Sequence, residues 1–213
     1  MSNLDCYTKP QWSRSVLLTI DVQEDFTRKD APAYITGTEK TLSSIQRLLQ
    51  YYRSNDRPIF HIIRLYHPDG ANVDLCRKQQ IEEGKEIVAP GSSGAGLATE
   101  LKPDQSIELD EDKLLKGDLQ QIGPREWMLY KPRWGAFYET CLTEMLNGLD
   151  ISTVVVTGCN FPNCPRTTIY EASERDFRTV LVRDAVSGLY EKAEQELANI
   201  GTALVETEEI ISF

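Results

Sequence analysis

Histidine is almost missing from this chain: two stand among 213 residues, His61 and His67. A metal centre built on imidazole has little to draw on, and neither a metal nor another cofactor is expected. Positive charge is also short. Twenty-three Lys and Arg face 33 Asp and Glu, a formal net charge of −10. That argues against nucleic acid or an anionic membrane surface as the main partner, because either needs a basic face. No apolar run approaches the roughly 18–20 residues of a membrane span. The longest, around Val16–Ile20 and Val154–Val156, are strand-sized. The opening MSNLDCYTKPQWSRS has no apolar core, so no secretory leader is expected. The five cysteines, at 6, 76, 141, 159 and 164, show neither CxxC nor zinc-ribbon spacing. A cytoplasmic location with free thiols follows as the expectation, with at least one thiol kept for its reactivity.

With 40% hydrophobic and 26% charged residues, the chain can build a sizeable core. Its length suits one domain over 1–213, without internal repeats or a Ser/Gly linker. Strand-like runs alternate with helical patterns, which argues for parallel βαβ construction. The predicted strands are Ser15–Asp21, Ile59–Leu65, Glu126–Lys131, Ser152–Thr157, Arg178–Arg183 and Ala203–Val205. Helical spacing covers Thr38–Arg53, Ala136–Leu149, Pro165–Asp176 and Leu189–Ile200. Between roughly 66 and 125 the rhythm loosens around the turn-rich HPDGAN and PGSSGAG. That stretch is too long for a plain loop and reads as an excursion with a short helix near Val73–Glu83. Such insertions supply lids and pocket walls.

In open α/β sheets ligands bind beyond the carboxyl ends of the strands. Asp21 closes the first strand, Lys131 the third, and Cys164 follows the fourth. Cys164 precedes Pro165, a residue favoured at the first helical position, which puts the thiol at a helix N-cap. The positive end of the helix dipole, with a nearby ammonium, favours thiolate there. A carboxylate raises the thiol pKa instead, yet can accept its proton when substrate binds. The trio suits attack on an electrophilic carbonyl or nitrile carbon. Taken singly, each residue has a plainer reading: a turn cap, a solvated lysine, a small buried side chain.

Three blocks together resemble the isochorismatase-like cysteine hydrolase family: LLTIDVQEDF with Asp21, YKPRWGAFYETCL with Lys131, and VVVTGCNFPNCPRTTIYEASERDFRTVLVRDAV with Cys164. Thr157, Gly158, Cys164, Thr168 and Ala172 occupy the places of the family's strand–TG–Cys–T-x-x-x-A pattern. The likeness spans roughly Ser15 to Val205. It implies a three-layer α/β/α fold with a six-stranded parallel sheet in the order 3-2-1-4-5-6. It implies Cys164 as nucleophile, Asp21 as general base and Lys131 as the cation of the trio. A non-proline cis peptide is implied between Cys159 and Asn160, with an oxyanion hole made by the Asn160 and Cys164 backbone N–H groups. The activity implied is hydrolysis of a C–N bond in a small amide or ureido-type substrate through a thioester. Members that cleave the isochorismate vinyl ether tend to lack the Cys. A vinyl-ether hydrolase and a non-catalytic small-ligand or partner-binding protein are the alternatives. Nicotinamidases of the family carry an Asp-x-His and a further His for a metal, which this chain does not match. The Phe161-Pro162 and Pro165-Arg166 pairs depart from commoner versions of the oxyanion loop.

Family position also makes Phe26 and Trp134 candidate pocket walls, together with Phe137. Plain core packing is the competing reading for each. Arg166 and Arg133 are candidate anchors for a substrate carboxylate, or ordinary partners of surface acids. Cys6, Cys76 and Cys141 read as structural and Cys159 as loop packing. His61 reads as a packed core side chain and His67 as a turn residue. A small-molecule substrate and a homo-oligomer, dimer or tetramer, complete the expectation.

Overall fold

The computed structural model describes residues 4–212. In chain order the elements are β1 (Ser15–Ile20), α1 (Glu24–Thr27), α2 (Thr38–Ser54), β2 (Ile59–Ile63), α3 (Leu75–Glu82), α4 (Glu111–Leu115), β3 (Gln120–Gly123) and β4 (Glu126–Tyr130). There follow α5 (Leu142–Gly148), β5 (Thr153–Gly158), α6 (Cys164–Ser173), β6 (Arg178–Val186), α7 (Glu191–Asn199), β7 (Ala203–Val205) and α8 (Thr207–Ile211). Among the described residues no helix is long and apolar enough to cross a membrane.

The strands form one sheet in the order β3-β4-β2-β1-β5-β6-β7. Six of them, β4 to β7 in that order, are parallel and reproduce the expected arrangement. The seventh corrects the expected six: β3 pairs antiparallel with β4 at the sheet edge. Its connection to β4 is too short for the crossover a parallel pair needs, so only a hairpin is possible. The polar QQIG sequence of β3 suits an edge and carries little of the apolar signal that marks the other strands.

Strands buried on both faces alternate their side chains between two helical layers. Leu17, Val155, Val180 and Val182 pack with Ile45, Leu48 and Leu49 of α2 and Ile210 of α8. Val16, Leu18, Ile20, Val154, Val156 and Leu181 pack with Leu142 and Leu146 of α5, Ile169 of α6 and Leu197 of α7. The excursion contains α3 close to its expected place, then α4 and β3. The helix expected over Ala136–Leu149 begins only at Leu142. Before it, Glu139 takes a left-handed φ of 50°. The backbone N–H groups of Ala136 and Phe137 are taken by Thr168 and Glu171 of α6 rather than by a helix of their own.

Candidate active site

Parallel register brings the carboxyl ends of β1, β2, β4 and β5 side by side. The residue immediately after each strand is polar or sulfur-bearing: Asp21, Arg64, Lys131 and Cys159. Asp21 takes a left-handed φ of 53°, a turn that Asp tolerates better than most residues. Gly158 ends β5 with φ 108°, and a Cβ there would lie 2.2 Å from the Ile20 carbonyl oxygen. Only glycine lets β5 finish this close to β1. The Cys159–Asn160 peptide is cis. A short turn then leads into α6, whose first helical residue is Cys164 and whose N-cap is Asn163. The thiol therefore sits one position further into the helix than the sequence suggested.

The structure brings Asp21, Lys131 and Cys164 together. Lys131 Nζ donates to Asp21 Oδ2 at 3.0 Å and to the Arg133 carbonyl at 3.3 Å, and the lysine is fully buried. A buried ammonium persists only with such a partner. The other carboxylate oxygen, Asp21 Oδ1, is buried without a hydrogen-bond partner on the chain. Cys164 is 7% exposed. Burial pushes its thiol up to about 12, and the neighbouring Asp21 carboxylate adds to that push, while Lys131 and Arg64 pull the other way. The resting thiol is neutral. This corrects the thiolate expected from the helix dipole: desolvation and a carboxylate outweigh the dipole and two cations. Among the described residues neither the Asn160 nor the Cys164 backbone N–H is engaged by another group of the chain.

Asp21, Asn160 and Cys164 face a narrow cleft with about 20 Å³ of free room, enough for about one water molecule. Phe26 and Trp134 line it. Phe137 does not. It belongs to the core beneath α5 and α6, stacked on Phe177 at 5.9 Å. Arg166 points elsewhere, to Tyr190 Oη at 2.8 Å and Glu196 Oε2 at 2.9 Å. Its ion-pair partner is an acid of α7, the commoner fate of such an arginine. Arg133 is spent on the Asn72 and Pro132 carbonyls outside the cleft. All five cysteines are free; Cys6 and Cys76 are exposed and so hold nothing together. Cys159 is buried, its Sγ donating to the Asp21 carbonyl at 3.0 Å.

Six cleft residues escaped the sequence reading, Ile35, Asn163 and the four considered next: Arg64, Tyr66, Asp74 and Arg77. Arg64 carried a usable signal, a charge at the end of an apolar strand, like Asp21 and Lys131. It is 2% exposed and pairs with Asp74 Oδ2 at 2.5 Å. Gln23 pins it, accepting from the Arg64 N–H at 2.7 Å while its amide donates to the Arg64 and Ala95 carbonyls. Tyr66, Asp74 and Arg77 come from the excursion, where no periodicity pointed to them. His61 is buried and hydrogen-bonded to Thr19 and Glu126, while His67 stands in the turn after Tyr66, where its N–H donates to Asn72. Among the described residues no group of three or more His, Cys, Asp or Glu could hold a metal ion.

Six parallel strands in this order, with an acid, an ammonium and a thiol gathered at their carboxyl ends, define an isochorismatase-like hydrolase architecture. The chain belongs to the isochorismatase family: the family profile described as the isochorismatase domain matches residues 15–209. It is similar to a probable inactive nicotinamidase of Arabidopsis thaliana, 25% identical over 172 residues, covering 81% of this chain and 79% of the relative. It is similar to the maleamate amidohydrolase of Pseudomonas putida, 25% identical over 175 residues, covering 81% and 72%. An isochorismatase family protein of Desulfovibrio vulgaris superposes with a TM-score of 0.79 at 26% identity, over 94% of this chain and 99% of that one.

Proposed function

We propose that the protein is a cysteine amidohydrolase that cleaves the C–N bond of a small amide or ureido-type substrate without a metal. The observation that carries this reading is the convergence of Asp21 and Cys164, the acid backed by buried Lys131, beside two unengaged backbone N–H groups. The similarity to an enzyme named maleamate amidohydrolase supports the amide class.

In this reading Asp21 accepts the Cys164 proton as sulfur attacks the substrate carbonyl carbon. The carbonyl π pair moves onto oxygen, and that oxyanion rests on the Asn160 and Cys164 N–H groups. The C–N bond then breaks as Asp21 returns its proton to the departing nitrogen, which leaves as ammonia or an amine. A water molecule, losing a proton to Asp21, attacks the thioester, and the acid product leaves as the thiol is restored. Because the resting thiol is neutral, the proton moves with substrate in place rather than beforehand. Lys131 balances the buried carboxylate before and after each transfer.

Intact-mass spectrometry during turnover of a small amide should show an acyl adduct on the wild-type protein and none on Cys164→Ala. Hydrolysis by Cys164→Ala at the wild-type rate would end the proposal. One relative's description as an inactive nicotinamidase keeps a ligand-binding role on the same fold as the second reading. Under that reading neither an adduct nor ammonia would appear with any amide.

A further inference from the structure

The starts of the central strands frame a second hollow, of about 420 Å³. Arg14 lines it just before β1, Arg57 and Pro58 before β2, Arg125 before β4 and Ile151 ahead of β5. The candidate active site lies at the other ends of these strands. That is roughly 20 Å away, the six residues of β1 at about 3.3 Å each. The arginines of the hollow are not equally spent. Arg14 is paired with Asp150 and also donates to the Asp150 carbonyl at 2.8 Å. Among the described residues neither Arg57 nor Arg125 forms an ion pair. Arg57 Nη1 and Arg125 Nε are buried without a hydrogen-bond partner on the chain. The remaining acid of the lining, Asp56, is exposed. Three arginines thus stand against two carboxylates, one of them already taken, in a chain whose net charge is −10. Arg57 is held by aromatic faces instead of an acid: its guanidinium carbon lies 5.1 Å from the Tyr51 ring centroid and 5.8 Å from that of Tyr52. Stacking of this kind fixes the plane of a guanidinium and leaves its N–H fork for an oxyanion. Folded proteins leave few buried donors unsatisfied, and a bound ion is one thing that satisfies them.

We propose that this hollow is a binding site for a phosphate group, held between Arg57 and Arg125. Two unspent guanidinium groups from separate segments call for an acceptor with several oxygens and close to two negative charges. A phosphate monoester supplies both, whereas a carboxylate fills one fork. The hollow falls within the roughly 300–1,000 Å³ of small-molecule sites, so the phosphate can belong to a small phosphorylated compound. No bond is made or broken there. The anion ties the start of β2 to the start of β4, and the site does not depend on the amidohydrolase reading of the opposite edge.

The test is calorimetric titration of the full chain at constant ionic strength, with inorganic phosphate as the probe and glycerol 3-phosphate as a second titrant. The wild type should bind inorganic phosphate at one site. Arg57→Gln and Arg125→Gln should each weaken it about 10- to 100-fold, the range of charge-assisted hydrogen bonds. Arg125→Lys should keep part of the affinity, and Arg77→Gln, in the cleft at the other edge, should leave it unchanged. Phosphate should also raise the melting temperature of the wild type with concentration and leave that of Arg125→Gln where it was. Melts without phosphate show whether each variant folds, and Arg125→Gln carries the test should Arg57→Gln not fold. Tighter binding of glycerol 3-phosphate assigns the site to a phosphorylated small molecule; tighter binding of inorganic phosphate assigns it to the free ion. No binding of either, binding lost in Arg77→Gln, or affinity unchanged in Arg125→Gln overturns the proposal.

Discussion

Cys164 carries a conflict between two influences on its proton. The start of α6 and two cations favour thiolate, while burial and Asp21 favour thiol, and the second pair wins. In the proposed mechanism the sulfur therefore stays protonated until substrate occupies the cleft. Alkylation with iodoacetamide should be slow at pH 7 and climb as pH rises toward about 12, the value to which burial pushes the thiol. Replacing Asp21 with Asn removes the carboxylate that raises the thiol. Alkylation at a given pH should then become faster, while amide hydrolysis falls by about 10²–10⁴, the usual worth of a general base. A variant that loses alkylation and hydrolysis together would show that Asp21 positions the sulfur rather than accepting its proton.

Among the elements, the end of β5 is the most constrained. Gly158 has its backbone pressed against that of β1, with the Ile20 oxygen and nitrogen where a Cβ would be, at 2.2 and 2.6 Å. Backbone of a central strand cannot give way as the tip of a side chain can. Gly158→Ala should cost about 3 kcal/mol, combining a left-handed φ with a collision. For a chain of this size that corresponds to a melting point lower by roughly 6–12 °C. The same change shifts Cys159 to Cys164 away from Asp21, so activity should fall even in the fraction that stays folded. Circular dichroism melts read beside residual ammonia release separate the two effects. At the other edge, β3 shows how a short polar hairpin strand joins a sheet without apolar periodicity of its own.

The whole molecule holds two buried polar clusters along the same central strands. One is the candidate site. The other lies where β4 begins, and joins Thr19, His61, Glu126 and Arg53. Burial alone would raise the Glu126 carboxyl, but hydrogen bonds from Arg53 and His61 bring it down to about 2. A folded-state value below the unfolded one means stability that is present above about pH 4.3, the unfolded glutamate value. It is lost as pH falls toward about 2. Urea unfolding between pH 6 and pH 3 should therefore show falling stability, and Glu126→Gln should flatten that slope. The same substitution should cost about 3 kcal/mol at pH 7, because it strips the charge that faces Arg53.

Much of this was written along the chain. Apolar runs of strand length marked six strands, because a strand buried on both faces has to be apolar throughout, while their order came from the family likeness. Charges at the ends of those runs pointed to Asp21 and Lys131, and the Pro after Cys164 to a helix start. The family likeness supplied the cis peptide at Cys159–Asn160. Other features had no local signal. Arg166 and Phe137 look like site residues in sequence, yet a helix turn and a core face carry them away. Arg77 and Asp74 lie in a segment without rhythm, and only its fold over the sheet brings them to the cleft. The protonation of Cys164 depends on how much water and how many charges surround it, and those come from Asp21, Arg64 and Lys131, which lie on three other stretches of the chain. Local pattern determines which segments become strands and helices; which side chains share a solvent-poor space is decided by packing.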